Sequence, residues 1–230
     1  MRLDRFLSNL PSFNRQQVRL LLVERRVRVD GVAVADPKHE VRLFSRVEVD
    51  DQVLQAGRPA RYFMLHKPAG CVSATRDPEH RTVLDLVDEP DKDELHIAGR
   101  LDFNTTGLLI LTNDGQWSRR LTQPRTKLPK VYYVETEQPI LEEYVARFRE
   151  GFYFAFEDLT TLPAELVPLG SHSARLSLIE GRYHQVKRMF GHYDNKVVRL
   201  HRERMGPLEL DPALSPGQYR ALRPDEILPI

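Results

Sequence analysis

The feature that most constrains this chain is the stretch His96-Ile-Ala-Gly-Arg-Leu-Asp-Phe-Asn-Thr-Thr-Gly-Leu-Leu-Ile-Leu-Thr-Asn-Asp-Gly115, which sets a carboxylate, Asp102, against a strand that has to be buried. Leu108 to Leu111 is a short continuous apolar run, the pattern of a strand covered on both faces. Gly99 and Gly107 relieve the backbone on either side of Asp102, and Asn113-Asp114-Gly115 ends the strand in a turn. A carboxylate so close to a core strand is costly unless a cation pairs with it, so Arg100 or a basic residue from elsewhere should stand beside Asp102.

Two other readings of the stretch are available. Asp102-x-Asn104-x-Thr106-Gly107 matches the opening of a calcium-binding EF-hand loop, but Asn113 stands where the bidentate glutamate is required and no helices flank the run. Alternatively Asp102 is a turn residue whose side chain caps Asn104 or Thr105.

Composition bounds the rest. A chain of 230 residues holds one large domain or a small and a medium one, and 41% hydrophobic residues suffice for a core. The single cysteine, Cys71, excludes a disulfide framework or a cysteine zinc cluster and suits a reducing cytoplasm; its side chain reads as a small buried hydrophobe. No long apolar run follows the N-terminus, so neither a signal peptide nor a membrane span is expected. A net charge of +1 argues against nonspecific coating of nucleic acid and throws the weight onto local distribution.

Residues 1 to 50 hold ten Lys/Arg against seven Asp/Glu. Leu3, Phe6, Leu7 and Leu10 recur at helical spacing up to Pro11. Ser12 or Asn14 can cap a second helix whose stripe is Val18, Leu21 and Leu22, leaving Arg15, Arg19, Arg25 and Arg26 at or near the solvent face. Asp30-Gly31 between Val27-Arg-Val and Val32-Ala-Val34 is a strong hairpin signal. Two short helices with arginines on one face and a small hairpin resemble the RNA-binding domain named after ribosomal protein S-four, which implies phosphate contacts from those arginines. The alternative is that these arginines are a solvated surface, since charge on exposed helix faces is common. Asp51 to Ala60, polar and ending in Gly57-Arg-Pro-Ala60, reads as a linker.

A second domain opens with a strand, Tyr62 to Leu65, turned by Lys67-Pro68-x-Gly70. Ser73 to Asp93 reads as a mobile loop with one short helix near Val83 to Val87. Lys130 to Glu135 alternates as a strand, so Tyr132 and Tyr133 fall on opposite faces. Leu141 to Glu150 is a helix ended by Gly151. Ala174 to Phe190 reads as a strand, a Glu-Gly-Arg turn and a basic helix with His184, Lys187 and Arg188 on adjoining positions of one face and Val186, Met189 and Phe190 turned inward. Residues 175 to 204 carry eight Lys/Arg against three Asp/Glu, the balance of a phosphate-facing surface that would include Arg182, His184 and Arg188.

Gly-Arg-Leu-Asp-x-x-Thr-x-Gly-Leu-Leu-Ile-Leu-Thr-Asn-Asp-Gly resembles the catalytic motif of the pseudouridine synthases that modify ribosomal RNA. With the Lys-Pro-x-Gly turn, Lys130-x-Tyr132-x-Val134 and the Glu-Gly-Arg segment, the likeness covers nearly the whole chain and is nearest the RsuA type acting on 16S rRNA. The resemblance implies that Asp102 is catalytic, that Lys187 pairs with it where many relatives carry arginine, that Tyr132 packs on the target base, and that Leu178 floors the pocket. Arg100 is expected in active-site support and Lys67 among the RNA contacts; His66 stands where the family has asparagine. By periodicity alone Tyr132 is a core aromatic.

The expectation is therefore an α+β chain: a helix-helix-hairpin RNA-binding domain over residues 1–56 and a catalytic domain over 61–230 built on a mixed, mainly antiparallel sheet. It would be a cytoplasmic monomer that binds RNA, with no membrane partner, no metal and no cofactor, isomerising a uridine of 16S rRNA. The competing classes are a ribosome-assembly factor that binds RNA without chemistry, a synthase of the same kind acting on another RNA, and a metal-dependent nuclease, which would need clustered carboxylates.

Overall fold

The computed structural model describes residues 1–227. They divide into two compact units, Met1–Ala60 and the chain from Arg61 onward.

In the first unit, α1 (Leu3–Ser8) buries Leu3 and Leu7 and is over before Pro11. α2 (Arg15–Val23) is capped by Asn14, whose side chain accepts from the Gln17 amide while the Gln17 side chain accepts from the Asn14 amide. This reciprocal box is worth about 1 kcal/mol. β1 (Val27–Val29) and β2 (Val32–Ala33) form the expected hairpin, with Asp30 and Gly31 both at positive φ as a two-residue turn requires.

The sheet is larger than that hairpin. β3 (Val47–Val49) and β4 (Gln52–Gln55) extend it in the order β2-β1-β3-β4, so the stretch read as a linker from Asp51 begins with a strand. Asp50 and Asp51 make the turn at φ 47° and 65°, a conformation aspartate tolerates without the glycine that would have advertised it.

The second unit is one nine-stranded sheet with helices against it. In chain order its elements are β5 (Tyr62–Lys67), β6 (His96–Ala98), β7 (Thr106–Thr112), α3 (Gly115–Thr122), β8 (Lys130–Thr136), α4 (Glu142–Glu150), a separate small ribbon of β9 (Tyr153–Phe154) and β10 (Leu159–Thr160), then β11 (Glu165–Gly170), β12 (Ser173–Leu178), α5 (Gln185–Gly191), β13 (Val197–Met205), β14 (Leu208–Glu209) and β15 (Tyr219–Ala221). The sheet runs β11-β12-β8-β13-β7-β5-β15, with β6 beside β7 and β14 beside β13. β13 and β7 are parallel and the other described pairings in it are antiparallel, which is the mixed, mainly antiparallel α+β architecture expected.

β7 explains its own sequence. Leu108, Leu109, Ile110 and Leu111 are all fully buried because Leu109 and Leu111 join one core with Tyr132, Leu178 and Phe190, while Leu108 and Ile110 join another with Trp117 and Met205. Each such side chain contributes about 1.5–3 kcal/mol of transfer free energy. Gly107 opens the strand at φ 107°, and a Cβ there would stand 2.3 Å from the Arg202 carbonyl oxygen of β13. Asp114 does more than turn the chain, since its carboxylate accepts from the Gln116 and Trp117 amides and caps α3.

The stretch expected to be a mobile loop is tied down. A 3-10 turn occupies Leu84–Leu86, Val83, Leu84 and Val87 are buried, and Arg61 pairs with Glu89 at 2.9 Å. Its few apolar residues, scattered among turn residues with no periodicity, plug the core rather than form an element.

Candidate active site

The Asp102 loop is fastened from three sides. The Ser73 hydroxyl donates to the Leu101 carbonyl at 2.7 Å and accepts from the Leu101 amide at 3.1 Å. The Thr105 amide donates to the Asp102 main-chain oxygen at 3.0 Å, closing a tight turn. Lys67 reaches in from β5 and its ammonium donates to the carbonyls of Thr105, Pro68 and Phe103 at 2.9, 3.0 and 3.1 Å.

That placement corrects one expectation: Lys67 is 0% exposed and does not face RNA. Burial pulls its ammonium below the ordinary lysine value, and Cys71 and Asp102 nearby oppose the shift. Three carbonyls aimed at one point offset part of the cost of burying the ammonium.

The other half of the site comes from the Glu180-Gly181-Arg182 turn between β12 and α5. Glu180 is buried and accepts from Gln185 Nε2 at 2.6 Å, the Leu162 amide at 2.9 Å and Arg182 Nε at 3.1 Å. His184 then enters α5 at φ 48°. The result swings the first turn of α5 over the loop, so that Lys187 Nζ lies 3.0 Å from Asp102 Oδ2 and His184 Nε2 lies 3.5 Å from Oδ1.

The cation expected beside Asp102 is therefore Lys187 and not Arg100, which is exposed and makes no ion pair with it. The carboxylate does not cap Asn104 or Thr105, and it faces two basic side chains, which leaves the EF-hand reading no place for a calcium ion.

These residues ring an open cavity of about 560 Å³ that also takes in Arg100, Tyr132 and Leu178. Tyr132 is 8% exposed and faces the cavity, while Tyr133 on the opposite face donates its hydroxyl to Glu135 at 2.7 Å. Strand pairing sets Leu178 opposite Lys130 and Arg202 opposite Tyr132, so all four share one face of the sheet.

The arginines expected to meet RNA divide into two groups. Arg15, Arg19 and Arg25 are exposed and carry no ion pair among the described residues. Arg26 is engaged by Asp50 and by Glu24, the latter at 2.9 Å. Arg188 is likewise taken: Glu157 holds it in a two-pronged pair at 2.6 and 2.7 Å, with its guanidinium 3.6 Å from the Phe154 ring centroid. Arg182 leans on Glu180 at the cavity mouth. Charge counting saw these arginines but not their carboxylate partners, which lie far off in sequence or across a turn.

Lys130, Glu180 and Arg202 also line the cavity and were not singled out by sequence. Arg202 had a legible signal, since the burial of Leu200, Arg202 and Met205 along β13 places an arginine at a core position of an alternating strand.

Comparison with known proteins agrees with this geometry. Residues 61–192 match the family model described as RNA pseudouridylate synthase, and residues 1–47 match the S4 domain. The chain is 65% identical over 227 residues, 99% of each chain, to the ribosomal small subunit pseudouridine synthase A of Pseudomonas aeruginosa. It is 44% identical to the protein of the same name from Escherichia coli strain K12, covering 99% of this chain and 98% of that one. A crystal structure of a pseudouridylate synthase superposes with a TM-score of 0.72 at 39% identity, over 99% of this chain and 98% of the other. Among the described residues no helix is long and apolar enough to cross a membrane.

Proposed function

This chain belongs to the RNA pseudouridylate synthase family and carries an RNA-binding S4 domain, and from that premise we propose that it isomerises a uridine of small-subunit (16S) ribosomal RNA to pseudouridine. The observation that carries the reading is the pairing of Asp102 with Lys187 at the wall of a cavity that Tyr132 and Leu178 also line.

The reaction breaks the bond from ribose to uracil nitrogen, turns the base and rejoins it through carbon, with no net redox change. A uridine stacked in a helix is out of reach, so the target base is flipped into the cavity. Tyr132 stacks on it, a contact worth about 1–3 kcal/mol, and Leu178 supplies the apolar floor. Asp102 acts in its ionised form as nucleophile or base, with Lys187 compensating its charge. Arg100 lies at the rim, where the flipped strand would pass.

Binding is divided along the chain. Residues 1–56 form the RNA-binding part, with Arg15, Arg19 and Arg25 on phosphates, and residues 61–230 form the catalytic part, with Arg182 and His184 at the cavity mouth. The enzyme works as a cytoplasmic monomer. A protein that only bound RNA would have no use for a carboxylate held against a cation inside a cavity.

The test is to map pseudouridine in ribosomal RNA from cells with and without this protein. Loss of one site in the small-subunit RNA is the expected result; an unchanged map, or loss confined to another RNA, would refute the substrate assigned here.

A further inference from the structure

Arg202 is the most deeply buried of the cations that line the cavity, at 1% exposure. Its Nε donates to the Leu108 carbonyl at 2.8 Å, while Nη2 is buried with no hydrogen-bond partner among the described residues. Among the described residues no carboxylate pairs with it, whereas Arg175 and Arg204, on the opposite face of the sheet, each have one. Beside it stands Lys130, whose ammonium is held below the ordinary lysine value by burial and by Arg202, with Glu180 opposing.

An uncompensated guanidinium in the interior is expensive, because the desolvation of its charge is offset only by a partner. A buried donor without an acceptor likewise calls for an explanation, and one of the standard explanations is a catalytic role. Arg202 sits directly across from Tyr132 on the cavity face, so the missing partner has its place in the cavity, next to the ring proposed to stack on the base.

Resting on the function proposed above, we infer that Arg202 donates its free Nη2 to a carbonyl oxygen of the target uracil and holds the negative charge that the ring acquires during the reaction. When the C1′–N1 bond breaks, its electron pair leaves with the base and spreads from N1 onto O2 and O4. The new bond forms from C5 to C1′, C5 gives up its proton, and N1 takes one, so nothing is oxidised or reduced. If Asp102 adds to the ring instead, the displaced pair comes to rest on O4. In either course a carbonyl oxygen becomes an oxyanion while the base is free to turn, and a preorganised cation in a dry site stabilises that state more than the starting uridine. Lys130 adds positive potential behind it. The same contact retains the detached base, which otherwise has no covalent tether to the RNA.

The test is a chemical double-mutant cycle on the full chain. Single-turnover rates are measured with substrate RNA bearing uridine, 2-thiouridine or 4-thiouridine at the target, since sulfur accepts hydrogen bonds poorly, for the parent, Arg202→Met and Arg202→Lys. Both variants should slow the ordinary substrate by about a hundredfold or more with RNA binding retained. One of the two sulfur replacements should slow the parent by about tenfold relative to its effect in the variants, because the lost hydrogen bond is shared. The intrinsic effect of sulfur on the ring cancels in that comparison, and a merely structural role for Arg202 would make the effects multiply independently at both positions, which would overturn the inference.

A second measurement needs no variant. 6-azauracil loses a proton near neutral pH where uracil does not, so the parent should bind it more tightly as pH rises through that ionisation while uracil binding stays flat. Affinity for 6-azauracil that falls or does not change would overturn the assignment. Failure of the parent to modify ordinary uridine RNA at all would instead overturn the function on which it rests.

Discussion

Lys187 Nζ stands 3.0 Å from Asp102 Oδ2, and both side chains keep about a third of their surface in solvent, at 37% and 29%. A pair so exposed contributes about 0–1 kcal/mol to folding. Its fastening is nonetheless elaborate: Ser73 and Lys67 hold the loop on one side, and Glu180 and Gln185 hold the helix entry on the other. Structure spent on a pair that does little for stability is understandable if the pair serves chemistry.

Lys187→Met should therefore lower single-turnover activity by about a hundredfold while changing unfolding free energy by less than about 1 kcal/mol. Lys187→Arg should keep activity within about tenfold, because the charge persists and only the geometry changes. Activity of the Met variant equal to the parent would move the role to His184, the other basic side chain beside Asp102.

Lys67→Met presents the opposite balance. It removes a buried ammonium from three carbonyls and leaves two of them, Phe103 and Thr105, on the Asp102 loop without that donor. Unfolding in urea should show a loss of about 3 kcal/mol, and RNA binding by the folded fraction should persist while turnover falls. A variant as stable as the parent would mean those carbonyls find water instead.

RNA binding should separate Arg15 and Arg19 from Arg26. If each free arginine neutralises one phosphate, Arg15→Ala with Arg19→Ala should reduce the slope of log K against log salt by about 1.4, at about 0.7 per contact for single strands. Arg26→Ala should leave that slope unchanged, because Asp50 and Glu24 already hold its guanidinium. Equal slopes for parent and double variant would return Arg15 and Arg19 to the status of a solvated surface.

Stability should fall on mild acidification. Burial foremost, then His66 and Arg199, hold the His201 imidazole below the ordinary value of 6.5, with Glu203 opposing; burial does the same for His96 against Asp114. The unfolded chain thus takes up protons before the folded one does, so the stability these residues confer is complete above about pH 6.5 and is lost as pH drops from there toward the folded values. Urea unfolding between pH 7.5 and 5.5 should show this decline, reduced in His201→Asn, which keeps a hydrogen-bonding group for Thr106. A decline of the same steepness in that variant would assign the effect elsewhere.

What could be read from the residues follows a physical line. Leu108 to Leu111, the Asp30-Gly31 turn and the α5 stripe of Val186, Met189 and Phe190 are local patterns, and they folded as their periodicities require. Lys67 is buried and Arg26 and Arg188 carry carboxylate partners that no local pattern announces, because a cation's surroundings depend on acceptors brought to it by the fold: the carbonyls of Phe103 and Thr105, then Asp50, then Glu157. The strand Gln52–Gln55 was missed for a local reason, since Asp50-Asp51 makes a left-handed turn without glycine. Arg202 escaped because it was counted within a run of charge, where its alternation with Leu200 marked it as interior.

The central claim is that Asp102 does the chemistry, and the most direct measurement is pseudouridine formation by purified Asp102→Asn on small-subunit ribosomal RNA. The amide keeps the shape of the carboxylate and loses its charge. The variant should fold, bind the RNA with the parent's affinity and salt dependence, and yield no pseudouridine in a single turnover; product at a rate near the parent's would contradict the account.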